Sequence, residues 1–132
     1  NITVVSHIGV LPQHYKDFKK IKLVGKNKKQ SFEMLKLAKD LEDVGSSLLL
    51  MECVDKTLAK KITFTLKIPT IGIGSSSYCD GQILVVDDIL NMDDNFHKPS
   101  FLKQYANLSL NIKKAIQSYN NEVKQKKFPK RS

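Results

Sequence analysis

With 132 residues, of which 41% are hydrophobic, the chain is about one domain long and has enough apolar sequence to bury a core if its elements close on one another. No run approaches the roughly 18 to 20 consecutive apolar residues that cross a bilayer, and the opening reads as a strand and a loop rather than a signal peptide; no membrane partner is expected, and a soluble cytoplasmic protein is. The net charge of +9 raises nucleic acid as a partner, but of the 22 basic residues only Arg131 is an arginine, and the lysines gather at Lys16 to Lys29 and Lys124 to Lys130 without interleaved aromatics, which predicts a solvated surface and no nucleic acid.

Taken in chain order, Ile2-Thr3-Val4-Val5-Ser6 is β-branched and apolar, and a first strand beginning at the first residue with no leader is expected. It runs into His7-Ile8-Gly9 and Pro12, which predicts a strand entering a loop. A lysine-rich loop through Gly25 leads to Ser31 as a helix N-cap; Met34, Leu37, Ala38, Leu41 and Val44 follow at helical spacing up to Gly45, a C-cap residue. The nearly continuous apolar run Ser47 to Cys53 is a buried parallel strand. Asp55 caps a second helix striped by Leu58, Ala59, Ile62 and Leu66, and Pro69 stops it before the strand Thr70 to Gly74. The turn Cys79-Asp80-Gly81 leads into a fourth strand, Gln82 to Val86. From Ser100 to about Lys126 the chain reads as a terminal helix whose stripe of Tyr105, Leu108, Ile112, Ile116, Tyr119 and Val123 is core packing. Cys53 and Cys79 lie far apart and read as buried thiols.

This is α/β order, and right-handed crossovers make the strands parallel. An eight-stranded barrel takes roughly 250 residues, so four strands in this length amount to half of one, with an uncovered sheet face; a small open doubly wound sheet is the alternative. Pattern alone leaves both open.

Functional groups of parallel α/β folds gather at the carboxyl ends of the strands, where Glu52 and His7 stand. Alternation puts Leu48, Leu50 and Glu52 on one face of their strand and Leu49, Met51 and Cys53 on the other. A lone carboxylate above an apolar layer has its pKa pushed up by desolvation, which suits a general base, although pairing with a lysine or capping a helix would equally explain Glu52, and His7 reads as well as a structural histidine. Gly72-x-Gly74 before Ser75-Ser76-Ser77 is a poor phosphate cradle because a turn and a strand follow it, not a helix. Asp87-Asp88 and Asp93-Asp94 read as loop charges and helix-start caps, and no complete metal site is expected in this chain.

Four segments, His7-Ile8-Gly9-Val10-Leu11-Pro12-Gln13, Leu50-Met51-Glu52-Cys53-Val54, Ile68 to Gly74 and Cys79-Asp80-Gly81-Gln82-Ile83-Leu84-Val85, closely resemble successive motifs of ketopantoate hydroxymethyltransferase. Phe101, Lys103, Tyr105-Ala106 and Phe128-Pro129 are similar to that family's terminal helix. The resemblance implies that residues 1–132 are a single segment, the last four β/α units and terminal helix (about 100–126), from the carboxy-terminal half of a (β/α)8 TIM-type barrel of the phosphoenolpyruvate/pyruvate superfamily. It implies an aldol-type transfer of the one-carbon unit of 5,10-methylenetetrahydrofolate to 3-methyl-2-oxobutanoate, giving ketopantoate for pantothenate biosynthesis. In that reaction Mg2+ chelates the keto acid, the glutamate matching Glu52 accepts its proton, and the histidine matching His7 binds it. The metal ligands belong to the family's amino-terminal half, so the 132-residue chain alone is expected to be inactive, and the family implies a homo-oligomer, a decamer in well-known members. The chain departs from the family's usual Thr at Leu11, Arg at Lys26, Pro at Asp55 and Ala-Gly at Ser75-Ser76. Two competing readings are another 2-oxo-acid lyase or mutase of the same barrel superfamily, and a noncatalytic basic half-barrel.

Overall fold

Among the described residues four strands form one sheet, β1 (Val5–Gly9), β2 (Leu48–Glu52), β3 (Thr70–Ile73) and β4 (Gly81–Gln82), in that order with every neighbouring pair parallel. The computed structural model describes residues 2–15, 21–93 and 99–130; Lys16, Lys19, Lys20, Asp94 and Arg131, which figure in the charge readings above, lie outside the described residues. Two crossover helices, α1 (Lys28–Asp43) and α2 (Lys56–Thr65), connect the first three strands. β3 reaches its parallel neighbour β4 through the loop 74–80 without a helix.

Helix and strand starts follow capping chemistry. α1 begins a turn earlier than Ser31 predicts, because Asn27 is also a cap residue and its side chain accepts the Gln30 amide at 2.8 Å. Asp55 caps α2 as expected, accepting from the amides of Thr57 and Leu58. The fourth strand is shorter than the expected Gln82 to Val86. Its partner β3 has four residues, the Ile83 amide takes the Gly72 carbonyl at 3.0 Å, and the chain then turns into the short helix α3 (Val86–Leu90), whose first turn carries Asp87 and Asp88. The first strand likewise lies later than Ile2 to Ser6, because its register with β2 pairs Val5 with Leu48 and Gly9 with Glu52.

The chain divides into two compact units, Asn1–Leu84 and Val85–Ser132. In the first, Ile8, Leu49 and Met51 on one face of the sheet pack with Ala38 of α1 and Leu58, Ala59 and Ile62 of α2 into the core, joined by Val54 and Cys79. Met34, Leu35 and Leu41 support it from α1, while Leu37 and Val44 of the expected stripe are exposed. The opposite face carries His7, Leu48, Leu50, Glu52, Ile71 and Ile73, all half-buried. Within this unit, among the described residues, α1 and α2 cover one face of the sheet. The opposite, open face is the one a (β/α)8 barrel turns inward.

In the second unit the buried Asn91, in the left-handed conformation, ends α3 and holds the loop that follows. Its side chain donates to Asn107 Oδ1 at 2.9 Å and accepts from Gln104 at 2.6 Å, and its carbonyl accepts the Ser109 amide. α4 (Leu108–Lys124) starts at the Asn107 cap, later than the expected Ser100. Its apolar stripe is not core packing among the described residues: Ile116 is 63% and Tyr119 53% exposed. Within this unit, the five-residue α3 is too short to cover a helix of 17 residues.

Candidate functional site

Strand alternation sets the site. On β2 the side chains of Leu49 and Met51 enter the helix-covered core, so Leu48, Leu50 and Glu52 take the other face, and β1 puts His7 there because Ile8 is in the core. Both predicted residues thus reach the carboxyl end of the sheet on one face. His7 Nε2 stands 3.4 Å from Glu52 Oε2, with 28% of the histidine and 18% of the glutamate side chain exposed. The separation suits an ion pair, but the angle does not make a hydrogen bond, and His7 Nε2 is buried without a hydrogen-bond partner among the described residues. Geometry outweighs distance here: the imidazole is close to the carboxylate and still free to bond something else.

Burial pushes the Glu52 carboxyl above the usual glutamate range, and the charge of His7 opposes that shift only in part. The neighbouring Cys53 thiol is likewise raised, first by burial and then by the Glu52 charge. Cys53 and Cys79 are free and buried, as their spacing predicts.

The backbone beneath Glu52 is held from both sides. From β1, the Val10 amide donates to the Glu52 carbonyl at 2.9 Å. Gly9, at φ +110°, allows this approach: a Cβ there would stand 2.1 Å from the Glu52 carbonyl oxygen. From β3, the Cys53 amide donates to the Ile73 carbonyl. Cys53 itself has φ +51°, so the strand turns sharply away just after the carboxylate. Beside His7, a cavity of about 380 Å³ runs between the end of β1 and α1, lined by Gly9, Leu11, Met34 and Leu37 among others.

Sequence reasoning did not single out Ser75 individually. It considered the serine run as a phosphate cradle, but no helix follows Gly74, the Ser75 hydroxyl bonds backbone at the end of β2, and Ser76 Oγ accepts the Tyr78 amide. The acidic pairs divide: Asp87 and Asp88 occupy the first turn of α3, where burial and then the Asp87 charge raise the Asp88 carboxyl. Among the described residues no group of three or more His, Cys, Asp or Glu is placed to hold a metal ion, and none of the helices is long and apolar enough to cross a membrane.

A parallel sheet with crossover helices on one face is the arrangement of half of a (β/α)8 barrel, and Glu52 and His7 stand at its carboxyl end. The sequence profile of ketopantoate hydroxymethyltransferase matches residues 1–131, and the chain belongs to that family of transferases. It is 44% identical over 128 residues to a 3-methyl-2-oxobutanoate hydroxymethyltransferase of Clostridium botulinum (strain 657 / Type Ba4), covering 97% of this chain and 46% of the relative. Proteins of the same name from Syntrophus aciditrophicus and Enterococcus faecalis are also 44% identical, with 47% and 46% of their lengths covered. The chain spans about half the length of the curated relatives it matches.

Proposed function

We propose that the protein carrying this chain transfers a hydroxymethyl group from 5,10-methylenetetrahydrofolate to 3-methyl-2-oxobutanoate, and that Glu52 is the base that takes the proton from C3 of the keto acid. The observation that carries the reading is the Glu52 carboxylate, desolvated at the carboxyl end of β2 beside a histidine nitrogen with an unused hydrogen-bonding position. A carboxyl whose pKa lies above the usual range is a stronger base once ionised, which suits removal of a weakly acidic C–H proton near neutral pH. The proton moves to Glu52, the electron pair it leaves forms the enolate, and C3 then bonds to the one-carbon unit, whose two carbon–nitrogen bonds to the folate break as water supplies the hydroxyl and tetrahydrofolate leaves. In this reading His7, 3.4 Å from the carboxylate, hydrogen-bonds an oxygen of the bound keto acid and keeps C3 over Glu52.

The residues described do not fit a magnesium site: one carboxylate and one imidazole fall short of the near-octahedral oxygen set that Mg2+ demands. Mg2+, the folate cosubstrate and a homo-oligomer are proposed through the family resemblance, with the metal ligands outside this chain. The isolated 132 residues are accordingly expected not to turn over.

The test is solvent exchange. In D2O with magnesium, the natural polypeptide should exchange the C3 hydrogen of 3-methyl-2-oxobutanoate, followed by NMR, and Glu52→Gln should slow the exchange by about 10²- to 10⁴-fold, the usual weight of general-base catalysis. Exchange at the wild-type rate in Glu52→Gln would remove Glu52 from its role.

A further inference from the structure

Strand alternation would send Cys53 into the core with Leu49 and Met51, and the structure does otherwise. Met51 and Val54 both lie in the core cluster with no exposure, although residues at that spacing in a regular strand face opposite ways. The ladder is regular before and after: Glu52 pairs with Gly9 and Ile73, and Val54 with Val24. The mismatch is taken up at Cys53, whose φ of +51° makes it the extra residue of a bulge. Cys53 is buried yet stands outside the core cluster, so its thiol is left on the Glu52 side. The Glu52 charge acts on that thiol and helps to raise it, as neighbours do. The influences on the carboxylate itself are burial and the opposing charge of His7, with no hydrogen bond from the thiol among them. A left-handed residue other than glycine is costly, and such outliers gather at functional sites.

We infer that Cys53 is a positioning residue that acts through Glu52: the bulge swings its thiol to the carboxylate's side, where it excludes water, offers no hydrogen bond in its place and so keeps the base dry. The inference rests on the reading of Glu52 as the base. A thiol suits the task because it fills space like a small apolar group and is a weak donor, so it removes hydration without stabilising the ionised form. A hydroxyl in the same place is a strong donor and would settle the carboxylate, as the Thr70 amide and hydroxyl settle Asp80. Among the described residues the other titratable group facing Glu52 is His7 of β1; β3 pairs Ile73 with it, and the segment bridged to Val54 presents Val24. A purely structural role for Cys53 would change the melting temperature and leave the pH dependence of the reaction where it is.

The experiment follows C3 deuterium exchange of 3-methyl-2-oxobutanoate against pH in the natural polypeptide with magnesium, for wild type, Cys53→Ser, Cys53→Ala and Cys53→Gly, with melting temperature measured alongside. Exchange rises with pH as the base ionises. Cys53→Ser is expected to move that rise to lower pH by about one unit, because a better solvated carboxyl gives up its proton more readily, and to lower the plateau about threefold, because the carboxylate is then a weaker base. Cys53→Ala stays apolar and should hold the rise within about a third of a unit of wild type. Cys53→Gly suits the left-handed backbone and opens the place to water, so it should fold and move the rise downward as serine does. A rise that stays at its wild-type pH in Cys53→Ser or in Cys53→Gly would overturn the inference while leaving Glu52 as the base. A displacement in Cys53→Ala as large as that in Cys53→Ser would overturn it in favour of a structural role. Exchange at the wild-type rate in Glu52→Gln would instead defeat the reading of Glu52, and the inference with it.

Discussion

The two ends of the sheet treat a carboxylate in opposite ways. At the amino end of β3, Asp80 accepts from both the amide and the hydroxyl of the fully buried Thr70, at 2.8 and 2.9 Å. Those bonds hold its carboxyl below the usual aspartate range. At the carboxyl end of β2, Glu52 is desolvated without comparable bonds, and its carboxyl is raised. Asp80 is the more exposed of the two and the more firmly committed; Glu52 is the more shielded and the less satisfied. Hydrogen bonds to the charged form settle a carboxylate into the architecture, whereas burial without them leaves it reactive. The division matches the general one between the stabilising amino face and the chemical carboxyl face of a parallel barrel.

The sharpest way to break this contrast is through the backbone that carries Glu52. Gly9→Ala places a Cβ in contact with the Glu52 carbonyl, at a φ that alanine rarely adopts. Urea unfolding should show a loss of about 1 to 3 kcal/mol, with C3 exchange reduced as well. A fully stable, fully active Gly9→Ala would mean that β1 and β2 part easily. Next in size is Asp80→Ala, which strands the buried Thr70 amide; a loss of about 1 to 3 kcal/mol is expected, with kcat per folded molecule unchanged. A drop in kcat at constant stability would blur the division between the two ends.

The smallest effects are in pH dependence, where the two carboxylates have opposite signs. The Asp80 folded pKa is depressed, so its contribution to stability is present above the unfolded aspartate pKa, about 3.9, and is lost as pH falls through the folded value. The Glu52 folded pKa is raised. The folded state then holds the proton more tightly than the unfolded one, and stability is lost as pH rises from the unfolded glutamate pKa, about 4.3, through the folded value. Glu52→Gln should therefore raise the melting temperature modestly at pH 7, and that gain should shrink as the pH is lowered toward 4. A melting temperature at pH 7 that falls in Glu52→Gln would show that the ionised carboxylate is held by bonds after all.

Much of this was legible in the sequence because it depends on local period. The alternation through Leu48 to Glu52 placed the carboxylate on the face away from the helices, and the Asp55 cap and the parallel order followed from chain-local signals. Four motifs in register also carried the family. What local pattern missed depends on partners distant in the chain. The run Ile83 to Val86 has strand composition, but the pairing with β3 ends at Gln82, opposite Gly72. The α4 stripe has helical spacing, and spacing does not say whether anything lies against it. Ser75 is one of three consecutive serines, and only folding brings its hydroxyl to residues 21 and 24 positions earlier.

The parallel ladder also has a consequence for errors in assembly. β2 is paired on both sides, five positions to β1 and four to β3, and it alternates strictly between apolar core and the Glu52 face. A slip of one residue would carry Glu52 to the core face, where Met51 now has no exposure, and would move Met51 out to the open face. Burying an unpaired carboxylate among Ile8, Leu58 and Ile62 is strongly unfavourable. The residue proposed to carry the reaction is thus also a proofreader of strand alignment during folding, and Glu52→Leu, by making both faces of β2 apolar, should increase misfolded and aggregated product even though it removes a charge.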